Sequence, residues 1–125
     1  MKNYLALAAA MLAGAAFGAI AVGTLHAQGA AKAYAFVDIS EITNPDLFKT
    51  LIPKAGPAVQ AFGGKFIVRT DKITAGEGQP PKRFVVIEFD SLDKIKAWHD
   101  SAAQKEVDEI LMKASKSRSF SAPGL

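Results

Sequence analysis

The chain has 125 residues, 15 Lys and Arg against 12 Asp and Glu, a formal net charge of +3, and no cysteine. That length suits one domain, and the missing cysteines exclude disulfides, thiol nucleophiles and thiolate metal sites. The basic residues alternate with acids from Lys32 to Arg118 and form no stripe, so no nucleic-acid partner is expected.

After Met1 and Lys2 no charge appears before Lys32, and Leu5 to Leu25 is an apolar run rich in Ala, Leu and Gly. It ends Leu25-His26-Ala27-Gln28-Gly29-Ala30. A positive start, an apolar middle and small residues at the exit are the parts of a secretory signal. Residues 1–29 are therefore expected to be a signal peptide cut before Ala30, with a cut after Ala27 as the next choice. Residues 30–125 are the folded domain, periplasmic or secreted. The alternative is an uncleaved inner-membrane anchor with the domain outside the cytoplasm, because about 21 helical residues span roughly 32 Å. Only in that case is the membrane a partner.

Tyr34 to Ile39 reads as a strand. Asn44 or Thr43 caps a helix with Pro45 at its first position. Leu47, Phe48, Leu51, Ile52, Ala55, Val59 and Phe62 recur at helical spacing, but Pro53 and Pro57 predict a kink or two short helices. Gly63-Gly64 ends the segment. Lys65 to Arg69 is a second strand, Gly76 to Pro81 a loop, and Arg83 to Phe89 the third strand. Ser91 caps a helix through Leu92, Ile95 and Trp98. Ser101 restarts it toward Val107, Ile110, Leu111 and Ala114, and Arg118 to Ser121 closes the chain as a strand.

The order βαββαβ predicts an α+β, ferredoxin-like domain, a four-stranded antiparallel sheet with both helices on one face. Strand alternation assigns Ala35, Val37, Ile39, Val85, Ile87 and Phe89 to the helix side, with Phe66 and Val68 beside them. The open face then carries Tyr34, Phe36, Ile67, Phe84 and Val86 with Asp38, Arg69 and Glu88. Such a face is too apolar to be left in water, and a second copy of the sheet is its expected cover, making a homodimer.

The stretches Phe62-Gly63-Gly64-Lys65-Phe66-Ile67-Val68-Arg69, Arg83-Phe84-Val85-Val86-Ile87-Glu88-Phe89 and Ala97-Trp98 resemble the domain of unknown function 1330 family. The likeness runs from about Tyr34 to Phe120, and exported members are similar even in a Leu-His-Ala-Gln leader ending. The resemblance implies a dimeric α/β barrel and no established reaction. The sequence departs from the family pattern after Trp98, where His99-Asp100-Ser101-Ala102-Ala103 replaces an aromatic followed by Ser-Pro-x-Tyr. It departs again in the closing strand, Ser119 to Pro123.

Two carboxylates and a guanidinium, Asp38, Arg69 and Glu88, are the sharpest constellation. They could orient a polar substrate or shift a proton, or they could be an ion-pair network neutralising charge inside the dimer barrel. His99 has the natural acid/base chemistry near neutral pH, but Asp100 beside it points about 100° away on a helix. With Tyr34, Phe36 and Phe84 these residues are the candidate lining of a cavity between two sheets. Trp98 reads as core. No metal site or cofactor is expected, because one histidine lies beyond the leader and no phosphate-loop pattern occurs, and the sequence assigns no catalytic residue. The expected function is a small-molecule-binding or structural module, whose partner is a small organic ligand. The alternative is a cofactor-independent isomerase or oxygenase.

Overall fold

A computed structural model describes residues 31–125, so the leader expected over residues 1–29 lies outside the described residues. The elements are β1 (Ala33–Ile42), α1 (Pro45–Lys49), α2 (Ile52–Gln60), β2 (Lys65–Thr70), β3 (Arg83–Phe89), α3 (Leu92–Asp100), α4 (Ala102–Ala114) and β4 (Ser115–Pro123). The four strands form one antiparallel sheet in the order β2-β3-β1-β4, the ferredoxin-like arrangement. Among the described residues no helix is long and apolar enough to cross a membrane.

Local chemistry sets the boundaries. Asn44 Oδ1 accepts from the Leu47 amide at 3.1 Å, and Pro45 stands where a helix needs no amide donor. The predicted interruption by prolines is realised as two short helices, with Pro53 at the start of α2 and Pro57 inside it. Gly63 takes φ +74°, the left-handed cap geometry. At Gly64 a Cβ would stand 2.6 Å from Val59 Cγ1 and 2.7 Å from the Phe89 ring, so only glycine lets the chain pass there. Ser91 Oγ caps α3 by accepting from the Lys94 amide at 3.2 Å.

Opposed residues of an antiparallel pair share a face, so the registers sort the side chains. Ala33, Ala35 and Val37 oppose Phe89, Ile87 and Val85 on the helix side. On the other side, one row runs Val68, Val86, Phe36, Phe120 and the next runs Thr70, Phe84, Asp38, Arg118. Phe36 stacks on Phe120 at 5.2 Å and on Phe84 at 6.3 Å between ring centroids. Ile67 (46%), Val68 (37%) and Phe120 (49%) are the exposed large apolar side chains of this sheet.

One assignment from alternation is corrected. The β2–β3 register shifts between Phe66 and Val68, leaving Ile67 as an extra residue. A bulge reverses parity beyond it. Phe66 stays on the helix side opposite Ile87, but Val68 pairs with Val86 on the open face, and Arg69 pairs with Val85 on the helix side. The closing strand is also longer than expected, because Ser115 to Pro123 pairs along most of β1 with one irregularity between Ile39 and Glu41.

The core is two clusters. The first gathers Ala33, Ala35, Val59, Ile87, Phe89, Ile95 and Trp98, with Phe89 and Trp98 at 5.1 Å between centroids. The second gathers Ile39, Phe48, Leu51, Val107 and Ala114. A domain of this size normally builds one contiguous core. What separates the two halves is a cavity.

Candidate functional site: a cavity between sheet and helices

The cavity holds about 430 Å³ and is bordered by both clusters, with Ile87, Trp98 and Phe66 on one side and Ile39, Leu51 and Val107 on the other. It is partly open to solvent, so water fills it where no ligand does.

Two polar atoms of its wall residues are buried without a partner among the described residues. Trp98 and Gln104 are each 5% exposed, and Trp98 Nε1 and Gln104 Oε1, both out of reach of solvent, have no hydrogen-bond partner there. Buried polar atoms are nearly always paired, and an orphan costs about 1–3 kcal/mol. The other half of the Gln104 amide is engaged, since Nε2 donates to Asp108 Oδ1 at 3.0 Å, and Asp108 also borders the cavity. Ser101 ties the two segments together. Its hydroxyl donates to the Trp98 carbonyl at 2.6 Å and accepts from the Gln104 backbone N–H at 3.2 Å, joining the end of α3 to the start of α4.

The sheet side supplies two arginines. Arg69 opposes Val85, and Arg83 lies two residues before Val85 on the same strand, so the two are diagonal neighbours on the helix face. Both border the cavity, and neither forms an ion pair among the described residues. Arg69 lies 4.9 Å from the Phe66 ring centroid, a cation–π contact that leaves its donors free. At the opposite edge of the sheet, β4 presents Ser119 and Ser121 to the cavity.

The candidate residues from the sequence divide between the two faces. Arg69, His99 and Phe36 border the cavity, although the Phe36 ring stacks on the open face. Tyr34, Asp38, Phe84 and Glu88 lie on the open face and do not border it. The Asp38, Arg69, Glu88 constellation does not assemble, because the bulge at Ile67 sends Arg69 through the sheet. Asp38 Oδ2 accepts from Arg118 Nε at 3.0 Å, and Glu88 lies 3.9 Å from Lys32 Nζ. His99 is exposed, and its Nδ1 stands 4.0 Å from Asp100 Oδ1, too far for a hydrogen bond.

Gln104, Asp108 and Arg83 escaped sequence reasoning. Gln104 did leave a signal, since it stands in register with Val107, Leu111 and Ala114, a polar residue on an apolar stripe. A second ion pair, Lys54 with Glu106, ties α2 to α4 across the helical layer.

Fold and site define a ferredoxin-like α+β protein with a mostly apolar, arginine-edged cavity between sheet and helices. The chain belongs to the family described as domain of unknown function 1330, whose model matches residues 32–125. No curated protein matches it in sequence. Among solved structures it is similar to a protein of unknown function from Rhodopseudomonas palustris, at 12% identity and TM-score 0.62, covering 76% of this chain and 83% of that one. A dimeric ferredoxin-like protein of unknown function from Jannaschia sp. CCS1 shares 7% identity at TM-score 0.59, over 74% of this chain and 99% of that one. SnoaB from Streptomyces nogalater, a cofactor-independent oxygenase, shares 11% identity at TM-score 0.54, over 76% and 94%. At these identities the likeness is one of fold.

Proposed function

We propose that this protein is an exported homodimeric module that binds one small organic molecule in the cavity of each protomer. The observation that carries this reading is the divided core, with a mostly apolar cleft edged by Arg69 and Arg83 between its two halves. An apolar cleft with a few polar groups at its edge is the usual form of a ligand site. The dimer reading rests on the aromatic open face, where Val68, Val86, Phe36 and Phe120 form a row that a second sheet would cover. The dimeric state of the Jannaschia protein supports it. Export to the periplasm or medium rests on the leader of residues 1–29.

A binding module is favoured over a cofactor-independent enzyme such as SnoaB. The cavity's polar groups bind and orient. Its one carboxylate, Asp108, is engaged by Gln104, and its histidine, His99, is an exposed side chain at the edge. The test fills the gap. Val107 is 5% exposed and borders the cavity. Val107→Phe should leave the unfolding midpoint equal or higher and weaken binding of 2-naphthol by at least about tenfold in isothermal titration. Unchanged affinity would place the ligand elsewhere.

A further inference from the structure

Resting on that cavity reading, we infer that the ligand is an unbranched apolar chain, an alkyl or acyl tail, laid across all four strands from one sheet edge to the other. The floor of the cleft, its openings and its twist each favour that shape.

Two register rows on the helix side make the floor. One runs Arg69, Val85, Val37, Ser119 and the other Phe66, Ile87, Ala35, Ser121, each taking one residue from β2, β3, β1 and β4 in turn. All of them border the cavity. Neighbouring strands lie about 4.8 Å apart, so this floor is about 14 Å long. A volume of about 430 Å³ drawn out over that length is narrow. Val59, Trp98 and Val107, all buried, roof its middle from α2, α3 and α4. Exposure returns at both ends. Arg69 is exposed at the β2 edge, where it lies over the Phe66 ring, and Ser119 and Ser121 are exposed at the β4 edge. A strand beneath helices ordinarily turns apolar side chains toward them. β4 turns serines there instead, too short to close the cleft.

The middle of the cleft is apolar and takes methylene groups, while a polar head leaves at an edge, where water solvates it. A flexible chain also follows this floor where a rigid ligand does not. Each strand turns about 20–25° on its neighbour, so the floor turns about 60–75° from edge to edge. A planar fused-ring ligand of that length would lift off the sheet at one end, and a compact one would leave both ends to water.

The test is isothermal titration of protein purified after expression of the full chain, with 1-hexanol, 1-octanol, 1-decanol and 2-naphthol as probes. Affinity should rise about fourfold with each added methylene through decanol, at one site per protomer. Ser119→Trp fills the β4 end at an exposed position. Its unfolding midpoint should match the wild type, and its gain from octanol to decanol should vanish. A plateau at octanol in the wild type would overturn the edge-to-edge chain, and that series decides by itself if the variant fails to fold. A folded variant that keeps the decanol gain would overturn it as well. If 2-naphthol binds and the alkanols do not, the chain assignment fails and the cavity reading stands. If none of the four binds, the cavity reading itself falls.

Discussion

Lys32 and Asp90 hold the start of β1 to the turn after β3 through a hydrogen-bonded ion pair of 2.7 Å. The Lys32 hydrogen bond and charge depress the Asp90 carboxyl below its ordinary 3.8, and the same contacts raise Lys32 above 10.5. A depressed carboxyl stabilises the fold above its unfolded value and loses that contribution as pH falls through the folded one. A raised lysine contributes below its unfolded value and loses it as pH rises through the folded one. The clasp is thus complete between 3.8 and 10.5. Both groups are exposed, so the effect is small. Asp90→Asn should melt slightly below the wild type at neutral pH, and the gap should narrow as pH falls below 3.8. A gap that persists in acid would contradict this. At the same scale, the sequence marks Trp98 as core, and it is, but no pattern foretells that its ring nitrogen goes unpartnered. Satisfaction depends on what stands opposite, and among the described residues no acceptor does.

Elements were legible where their side chains alternate cleanly. β1 changes polarity or size at each step from Ala33 to Ile39, and in β3 Glu88 between Ile87 and Phe89 marks the faces. Phe66-Ile67-Val68 is apolar throughout, so no residue records the parity change when the bulge inserts Ile67. Arg69 was misplaced for that reason alone. β4 is an edge strand alternating Ser115, Ser117, Ser119 and Ser121 with Lys116, Arg118, Phe120 and Ala122, and it lacks the apolar stripe that would have announced its length. The α3–α4 break at Ser101 was legible as a cap, and its consequence is that the backbones of Trp98 and Gln104, one on each helix, are joined through one hydroxyl. Ser101→Ala should cost about 1 kcal/mol, read as a fall of about 4–8 °C in Tm for a domain of this size. It should also weaken binding of 2-naphthol, measured by titration. Unchanged stability and affinity would show that helix packing alone sets the pair.

At the scale of the molecule, the sequence indicates an apolar open face but places the cavity between two sheets. Alternation tells which side a residue faces. It does not tell how far the helices stand from the sheet, and the gap lies in that spacing. On the proposed reading the two faces take separate duties, assembly on one and binding on the other. Val86 is 7% exposed at the centre of the open face. Val86→Glu should convert a dimer at micromolar concentration to monomer or unfold it, because a buried unpaired charge costs about 3–5 kcal/mol. Light scattering decides, and an intact dimer would remove this face from the interface. Native mass spectrometry in the presence of 2-naphthol tests the central claim most directly, since one spectrum counts both chains and ligands. A cavity in each protomer predicts a dimer that fills to two ligands. A dimer that stops at one ligand would put the site between the sheets, and a monomer or a ligand-free dimer would contradict the account.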